Sequence, residues 1–189
     1  MKTGLGLYKK YRKLVACLNL IRFSIRKYFI GFDVANQFLQ RLDKYSEQLI
    51  LKKNGAIIGS NCDIETGIIL HNCKNYSNLI IGNNCHIGKN CFFDLRDKVV
   101  IEDNVVISMH CTFITHIDMN KSDLSNLYSA ISLPIRIENN CYIGANSTIL
   151  KGVKLGRKSF VAACSLVNKN IEPYTMVGGV PAKTIKNLR

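Results

Sequence analysis

The chain has 189 residues, 47% of them hydrophobic, and a mean hydropathy of +0.05, which is typical of a globular protein and not of a disordered one. Charged residues, among them Arg22, Arg26 and Lys27, interrupt every long apolar stretch, so we expect no membrane-spanning helix and no cleavable signal peptide. The eight cysteines form no C-x-x-C pair. Together these features predict reduced thiols in a cytoplasmic protein.

The formal net charge of +13 is distributed unevenly. Residues 1–54 hold 12 Lys and Arg against 3 Asp and Glu, and residues 55–189 hold 14 against 10, which together make the 26 and 13 of the whole chain. This asymmetry predicts a basic helical segment over 1–54 and a separate domain over 55–189.

The basic segment begins with a helical pattern. Apolar residues recur at positions 11, 14, 15, 18, 21, 25 and 29, which together form one stripe of a helix. The opposite face carries Lys9, Arg12, Lys13 and Lys27. Asp33 is predicted to cap a second helix, whose apolar residues are Phe38, Leu39, Leu42 and Leu49.

A six-residue period dominates the rest of the chain. An aliphatic residue opens a unit at Ile58, Ile64, Ile81, Ile87, Ile101, Ile107, Ile137, Ile143, Ile149, Leu155 and Val161. The fifth position of the unit is small, and five of the eight cysteines occupy it. Hexapeptide repetition is typical of a parallel β-helix, in which three short strands make one triangular coil.

Each position of the unit has a structural reason. The aliphatic first residue points inward and stacks on its copies at a spacing of roughly 4.8 Å, and a small fifth residue fits the narrow interior beside a corner. Asn at the fourth position, as in Asn84 and Asn140, suits a corner that needs a positive φ. We therefore interpret the cysteines at the fifth position as small packing residues, not as nucleophiles or metal ligands.

The segment IGANSTILKGVKLGRKSFVAACSLVNKNIEPYTMVGGVPAKTI, residues 143–185, closely resembles the left-handed β-helix acyltransferases of the hexapeptide-repeat superfamily. Within it, the chain is most similar to bacterial sugar O-acetyltransferases of capsule, colanic-acid and lipopolysaccharide pathways. The resemblance implies a left-handed β-helix, acetyl-CoA as co-substrate, no metal, a homotrimer, and a sugar or lipid-linked glycan as acceptor.

Two interruptions of the repeat are predicted to carry the function. Residues 93–100 contain two extra residues, and residues 115–134 form a connection too long for a turn, which predicts a protruding loop near 117–133. Counting units places Phe93 and Phe113 one coil apart on the same face, so Asp94 and His116 should meet or nearly meet. A carboxylate beside an imidazole fixes its tautomer. Asp94 as a mere cap of the bulged turn remains an alternative.

The resemblance also assigns roles to individual residues. It places the family's catalytic base at His116, with Asp94 orienting it and also touching the substrate, and it makes Tyr142 a wall of the acceptor pocket. The backbone N–H near Ala145 would stabilise the oxyanion. Coenzyme A would contact the backbone around Ala163 and the side chains of Lys169 and Lys183. Cys164 departs from the Gly that many relatives have there.

Several alternatives stay open. A zinc enzyme on this fold would need His86, His110 and His116 to converge, and their spacing fits that family poorly. A serine acetyltransferase, an amino-sugar N-acetyltransferase and an inactive scaffold are further alternatives. The basic helices are predicted either to cap the open end of the solenoid or to lie on an anionic membrane, peripheral on the inner face. No nucleic-acid-reading motif is present, so no nucleic-acid partner is expected.

Overall fold

The computed structural model describes residues 2–189, which form three helices followed by a parallel β-helix. The helices are α1 (Lys2–Phe29), α2 (Phe32–Leu39) and α3 (Lys44–Lys53). Asp33 lies in the first turn of α2 and does not cap it, since the residue before the helix is Gly31, with φ 112° and no side chain to offer. Asp43 is the cap that forms, because its carboxylate accepts the backbone N–H groups of Tyr45 and Ser46 at the start of α3.

The face of α1 that meets the protein is not the stripe that the sequence pattern singled out. Ala16, Asn19 and Phe23 are buried, and the Asn19 amide donates to the Ser46 hydroxyl of α3 at 3.1 Å. The predicted stripe points outward instead: Leu14 is 60% and Ile25 52% exposed. The helix therefore contacts the rest of the protein through Ala16, Asn19 and Phe23 and not through the apolar stripe of the sequence pattern.

Five coils of three strands build the β-helix. The strands are β1 (Ile57–Ile58), β2 (Asp63–Ile64), β3 (Ile69–His71), β4 (Leu79–Ile81), β5 (His86–Ile87), β6 (Phe92–Asp94), β7 (Val99–Ile101), β8 (Val106–Ile107), β9 (Thr112–Ile114), β12 (Ile135–Ile137), β13 (Tyr142–Ile143), β14 (Thr148–Leu150), β15 (Lys154–Leu155), β16 (Phe160–Val161) and β17 (Leu166–Val167). The protruding loop holds β10 (His116–Ile117), a 3-10 helix (Asp123–Asn126) and β11 (Ile131–Ser132), and β18 (Thr175–Gly178) and β19 (Lys183–Asn187) close the chain.

The strands stack into three parallel faces. Face A has the order β1-β4-β7-β12-β15, face C has β17-β14-β9-β6-β3, and face B has β18-β16-β13-β8-β5-β2 with β19 added antiparallel. The aliphatic first residues pair in register, as in Ile81 with Ile101 and Ile143 with Val161. They are buried in one continuous core that also includes Phe23 of α1 and Leu39 of α2. Each buried side chain of this kind contributes roughly 1.5–3 kcal/mol.

The corner residues follow the predicted conformation. Positive φ angles of 55° to 61° occur at the fourth-position residues Asn61, Asn84, Asn90, Asn104, Asn140 and Asn146. Cys85, Cys91, Cys111 and Cys141 are buried, and Cys62 at the first coil is half-buried. The packing interpretation of these cysteines agrees with their positions.

The repeat is interrupted a third time, between β3 and β4, which the period count overlooked. Residues 72–78 form this connection, and Tyr76 within it is fully buried. Its ring lies 5.3 Å from that of Phe32 and 6.4 Å from that of Phe23. The extra residues thus fasten the helices to the first coil of the β-helix.

Candidate active site

Asp94 and His116 are in direct contact, as unit counting predicts. β6 and β9 pair in parallel with Phe93 opposite Phe113, and the two rings stack with centroids 4.8 Å apart. Asp94 ends β6, and His116 follows β9 by two residues. His116 Nδ1 lies 2.6 Å from Asp94 Oδ2. In the neutral imidazole this bond places the proton on Nδ1 and leaves Nε2 as the acceptor.

Asp94 is held by more groups than the sequence indicated. Thr115 donates both its backbone N–H (2.9 Å) and its hydroxyl (2.7 Å) to Oδ2, and Asn72 Nδ2 donates to Oδ1 at 2.9 Å. Burial alone would raise the pKa of this carboxyl, but hydrogen bonds from His116, Thr115 and Asn72 outweigh it and hold the pKa at about 2. Asp94 is therefore a buried carboxylate that stays charged at neutral pH.

Thr115 and Asn72 were not predicted from the sequence. Thr115 could have been found from its place in the chain, because it directly precedes His116, which unit counting places beside Asp94. Asn72 lies in the overlooked interruption between β3 and β4, so no repeat count placed it.

The protruding loop starts from a small hairpin that fixes His116. β10 pairs antiparallel with β11, and His116 is opposite Ser132. The Arg96 guanidinium forms an ion pair with Asp118 at 3.0 Å, which ties the loop to the bulge after Asp94. Leu127 and Tyr128 are 75% and 57% exposed, so the loop presents two apolar side chains to its surroundings.

Three of the residues expected to contact coenzyme A, Ala145, Ala163 and Lys183, lie at the corner between faces B and C. Ala145 follows β13 and Ala163 follows β16, one coil further on, and the Cys164 N–H donates to the Ala145 carbonyl at 2.8 Å. A Cβ on Gly144 would lie 2.5 Å from the Ala163 nitrogen, so the two coils approach closely here. Cys164 has φ 58° and is exposed.

Lys169 and Lys183 lie at the same end of the β-helix, and both are exposed. Lys169 follows β17 by two residues, and Lys183 begins β19. The Ala182 N–H donates to the Leu166 carbonyl of β17 at 2.8 Å, which brings the segment before Lys183 beside the strand that leads to Lys169.

The predicted site residues of one chain do not all meet. The strands of face C run parallel, so Ala145 before β14 and His116 after β9 lie at opposite edges of that face. Three-residue strands separate these edges by roughly 10 Å, before the corner residues are added. Tyr142 lies on face B, where its hydroxyl is 3.1 Å from that of Ser108 and its ring stacks on Phe160. Within one chain, Tyr142 is therefore not a wall beside His116.

The histidines are dispersed over the β-helix. His86 lies on β5 beside Asp63 at 3.3 Å, His110 occupies the corner after β8 with φ 58°, and His116 is bound to Asp94. Among residues 2–189, no group of three His, Cys, Asp or Glu side chains is arranged to hold a metal ion.

A polar cleft is lined in part by Asn72. It has a volume of about 810 Å³ between α2 and the segment 69–74. Its lining includes Asn36, Gln37 and Gln40 of α2 together with Asn72 and Arg96, and His116 itself is not part of it. The Asn72–Asp94 hydrogen bond connects the cleft to the Asp94–His116 pair.

Comparison with known proteins supports the fold. The family model for the hexapeptide repeat of succinyl-transferase matches residues 78–109 and 134–169. The galactoside O-acetyltransferase of Escherichia coli (strain K12) is 29% identical over 145 residues, which cover 74% of this chain and 67% of that protein. A putative acetyltransferase of Saccharomyces cerevisiae is 34% identical over 119 residues, 61% of this chain and 59% of the relative. The chain thus spans about two thirds or less of these relatives.

A solved structure of a galactoside acetyltransferase in complex with coenzyme A superposes with a TM-score of 0.72 at 25% identity, covering 92% of this chain and 82% of that one. A hexapeptide-repeat acetyltransferase from Vibrio cholerae gives 0.72 at 24% identity, over 95% and 92% of the two chains. The fold is therefore the left-handed parallel β-helix of these enzymes. The chain carries the hexapeptide repeat and has the fold of the hexapeptide-repeat acetyltransferases.

Proposed function

We propose that the protein is an acetyl-CoA-dependent O-acetyltransferase that modifies a sugar or glycan hydroxyl in the synthesis of a bacterial surface polysaccharide. The observation that carries this proposal is the 2.6 Å contact between His116 Nδ1 and Asp94 Oδ2. A carboxylate kept charged by hydrogen-bond donors, beside a histidine at a protruding loop, is the arrangement of a general base. The galactoside acetyltransferases among the relatives support acetyl transfer to a sugar.

The mechanism is direct transfer. His116 Nε2 takes the proton of the acceptor hydroxyl while its oxygen attacks the thioester carbonyl, so that a C–O bond forms. The backbone N–H near Ala145 stabilises the negative oxygen of the tetrahedral intermediate. The C–S bond then breaks, and the proton passes from His116 to the departing sulfur of coenzyme A. Asp94 stabilises the imidazolium between these two proton transfers and stays ionised throughout.

Coenzyme A would lie along the corner between faces B and C. The backbone around Ala163 would bond the pantetheine arm, and Lys169 and Lys183 would meet the phosphates as positive charges. The coenzyme A bound in a related galactoside acetyltransferase supports this donor.

The acceptor would approach from the polar cleft beside α2. Amide side chains such as Asn36, Gln37 and Gln40 donate and accept hydrogen bonds, as recognition of sugar hydroxyls requires. We assign to this cleft a sugar that is part of a lipid-linked glycan on the cytoplasmic side of the membrane. Tyr142 would reach an acceptor only from a neighbouring copy of the chain, in a homotrimer.

Transfer to an amino-sugar nitrogen or to serine would use the same base, and only acceptor assays distinguish these reactions. An inactive scaffold would have no need for the four hydrogen bonds that hold Asp94 charged beside His116. This cluster therefore favours an enzyme.

The test is His116→Ala, assayed for acetyl transfer to a panel of sugars. Removing a positioned base costs on the order of 100- to 10,000-fold in rate, and we expect a loss in that range with oligomeric mass and acetyl-CoA affinity unchanged. Lys183→Ala is the matched control. It should raise KM for acetyl-CoA with a smaller change in kcat. Activity of His116→Ala within a few-fold of the unmodified protein would refute the base assignment.

A further inference from the structure

The outward face of α1 is a continuous apolar surface. Tyr11, Leu14, Leu18, Ile21 and Ile25 are each between 48% and 62% exposed, and Tyr28 and Phe29 are 83% and 76% exposed. They lie three or four residues apart, which places them on one side of the helix. From Tyr11 to Phe29 this face, the α1 outer face, extends for roughly 27 Å at 1.5 Å per residue. Exposed apolar patches of this size mark interaction surfaces.

The same helix has a second, separate contact face, so the α1 outer face is not needed to hold it in place. Phe23 is fully buried and packs edge-on against Phe32. Arg12 and Lys27, expected from the sequence to face away from the protein, also contact it: Arg12 lies over the Tyr45 ring at 5.3 Å, and Lys27 bonds Asn54 at 2.9 Å.

The charge around the α1 outer face selects its partner. α1 contains eight Lys and Arg and no Asp or Glu. By helical spacing, Lys10 and Arg22, both exposed, lie about 60° to either side of the centre of the apolar stripe. A second copy of α1 would bring cations against cations with no acidic partner, whereas anionic headgroups complement both edges while acyl chains receive the apolar centre.

The helix would lie on the membrane and not cross it. No helix within residues 2–189 is long and apolar enough for a membrane span. We propose that the α1 outer face binds the surface of an anionic phospholipid bilayer, with its apolar side chains at the acyl boundary and with Lys10 and Arg22 at the headgroups. This surface is independent of the acetyl-transfer chemistry.

The experiment is co-sedimentation of the full chain with vesicles of phosphatidylcholine alone or with about 30% phosphatidylglycerol, at low and high salt. We expect binding to the anionic vesicles that weakens as salt rises, because exposed charges are screened over about 10 Å at 0.1 M. Ile21→Gln/Ile25→Gln should reduce the bound fraction at least tenfold. The matched control Ile57→Gln/Leu188→Gln removes two exposed apolar side chains elsewhere and should bind normally.

A charge-matched pair completes the design. Lys10→Gln/Arg22→Gln should weaken binding and flatten its salt dependence, and Lys52→Gln/Lys158→Gln, which removes two exposed cations outside α1, should not. Acetyl transfer to a soluble acceptor should be unchanged in all four variants, which separates this proposal from the enzymatic one. Equal binding to neutral and anionic vesicles, no binding to either, or a fall in oligomeric mass in Ile21→Gln/Ile25→Gln would each overturn it.

Discussion

Asp94 keeps its charge although only 1% of its surface is exposed. An isolated carboxylate at such a position would become neutral. Here Asn72, Thr115 and His116 all donate to it, so the ionised form is the more stable one. The same bonds orient His116, and one cluster thus serves both stability and the proposed proton transfer.

Asp94→Asn tests both roles. Because the pKa of Asp94 is lowered from 3.8 to about 2 in the fold, its charge stabilises the protein above pH 4, and this stability is lost as pH falls through about 2. The variant should be destabilised by about 2 kcal/mol at pH 7. The difference in unfolding free energy between the two proteins, measured by denaturant unfolding, should become smaller as the pH approaches 2. Its kcat should fall, but less than in His116→Ala. An equal deficit at pH 7 and pH 2 would contradict the charge argument.

Glu47 of α3 shows the opposite behaviour. It is fully buried, and neither carboxyl oxygen has a hydrogen-bond partner among the described residues. Burial raises its pKa from 4.5 to about 8. The folded state therefore holds a proton that the unfolded state releases between these values, and stability should decrease as pH rises from about 4.5 to 8.

Glu47→Gln removes this titration while keeping the shape of the side chain. We expect nearly equal melting temperatures for the variant and the unmodified protein at pH 5, where both side chains are neutral. At pH 8 the variant should be more stable, by a few kcal/mol at most. A constant difference between the two proteins across pH 5–8 would show that Glu47 does not carry the expected proton.

At the scale of the element, the corner between two faces turns the chain, so that three six-residue units complete one coil. Asn140 has φ 61°, a left-handed conformation that costs other L-residues roughly 1–2 kcal/mol. Its backbone N–H donates to the Asp103 carbonyl of the coil below at 3.0 Å, so the corner angle also sets the register between coils.

Asn140→Ala should therefore destabilise the β-helix by about 1 kcal/mol, measured by urea unfolding. Asn140→Gly has no Cβ to strain and should remain closer to the unmodified protein. If Gly cost as much as Ala, the lost Asn side chain and not the backbone conformation would be the cause.

At the scale of the whole molecule, the opposite edges of face C decide how a site can be assembled. His116 lies at one edge and Ala145 at the other, and a single three-sided prism offers no wall that joins them. A neighbouring copy could present its Ala145 edge to His116. We expect a homotrimer, which light scattering would report as three chains of 21.3 kDa. A stable monomer at micromolar concentration would remove this site.

Subunit mixing gives a sharper test. His116→Ala and Lys183→Ala should each be impaired at low acetyl-CoA, but in mixed trimers a shared site can take His116 from one chain and Lys183 from the next. Equal mixing should restore about a quarter of the sites, given random assembly of cyclic trimers. The control is a mixture of the two variants that were refolded separately and combined only afterwards. No recovery on co-refolding would mean that each chain builds its site alone.

The six-residue period by itself determined most of the β-helix. In a solenoid each strand pairs with the strand three units further along the chain, so counting the units gives the strand pairing. Phe93 opposite Phe113, the inward cysteines and the Asp94–His116 contact are all consequences of that count. Unit counting assumes an uninterrupted period, and it failed at residues 72–78, where extra residues interrupt the repeat. For this reason Asn72 was not predicted from the sequence.

Only the tertiary structure decided which side of α1 faces the protein. Both sides of that helix carry apolar residues, and a periodicity reports that an apolar face exists, not what covers it. Phe23 is buried because it contacts the rings of Phe32 and Tyr76, which are distant in sequence. With this side of α1 against the protein, the predicted stripe faces outward.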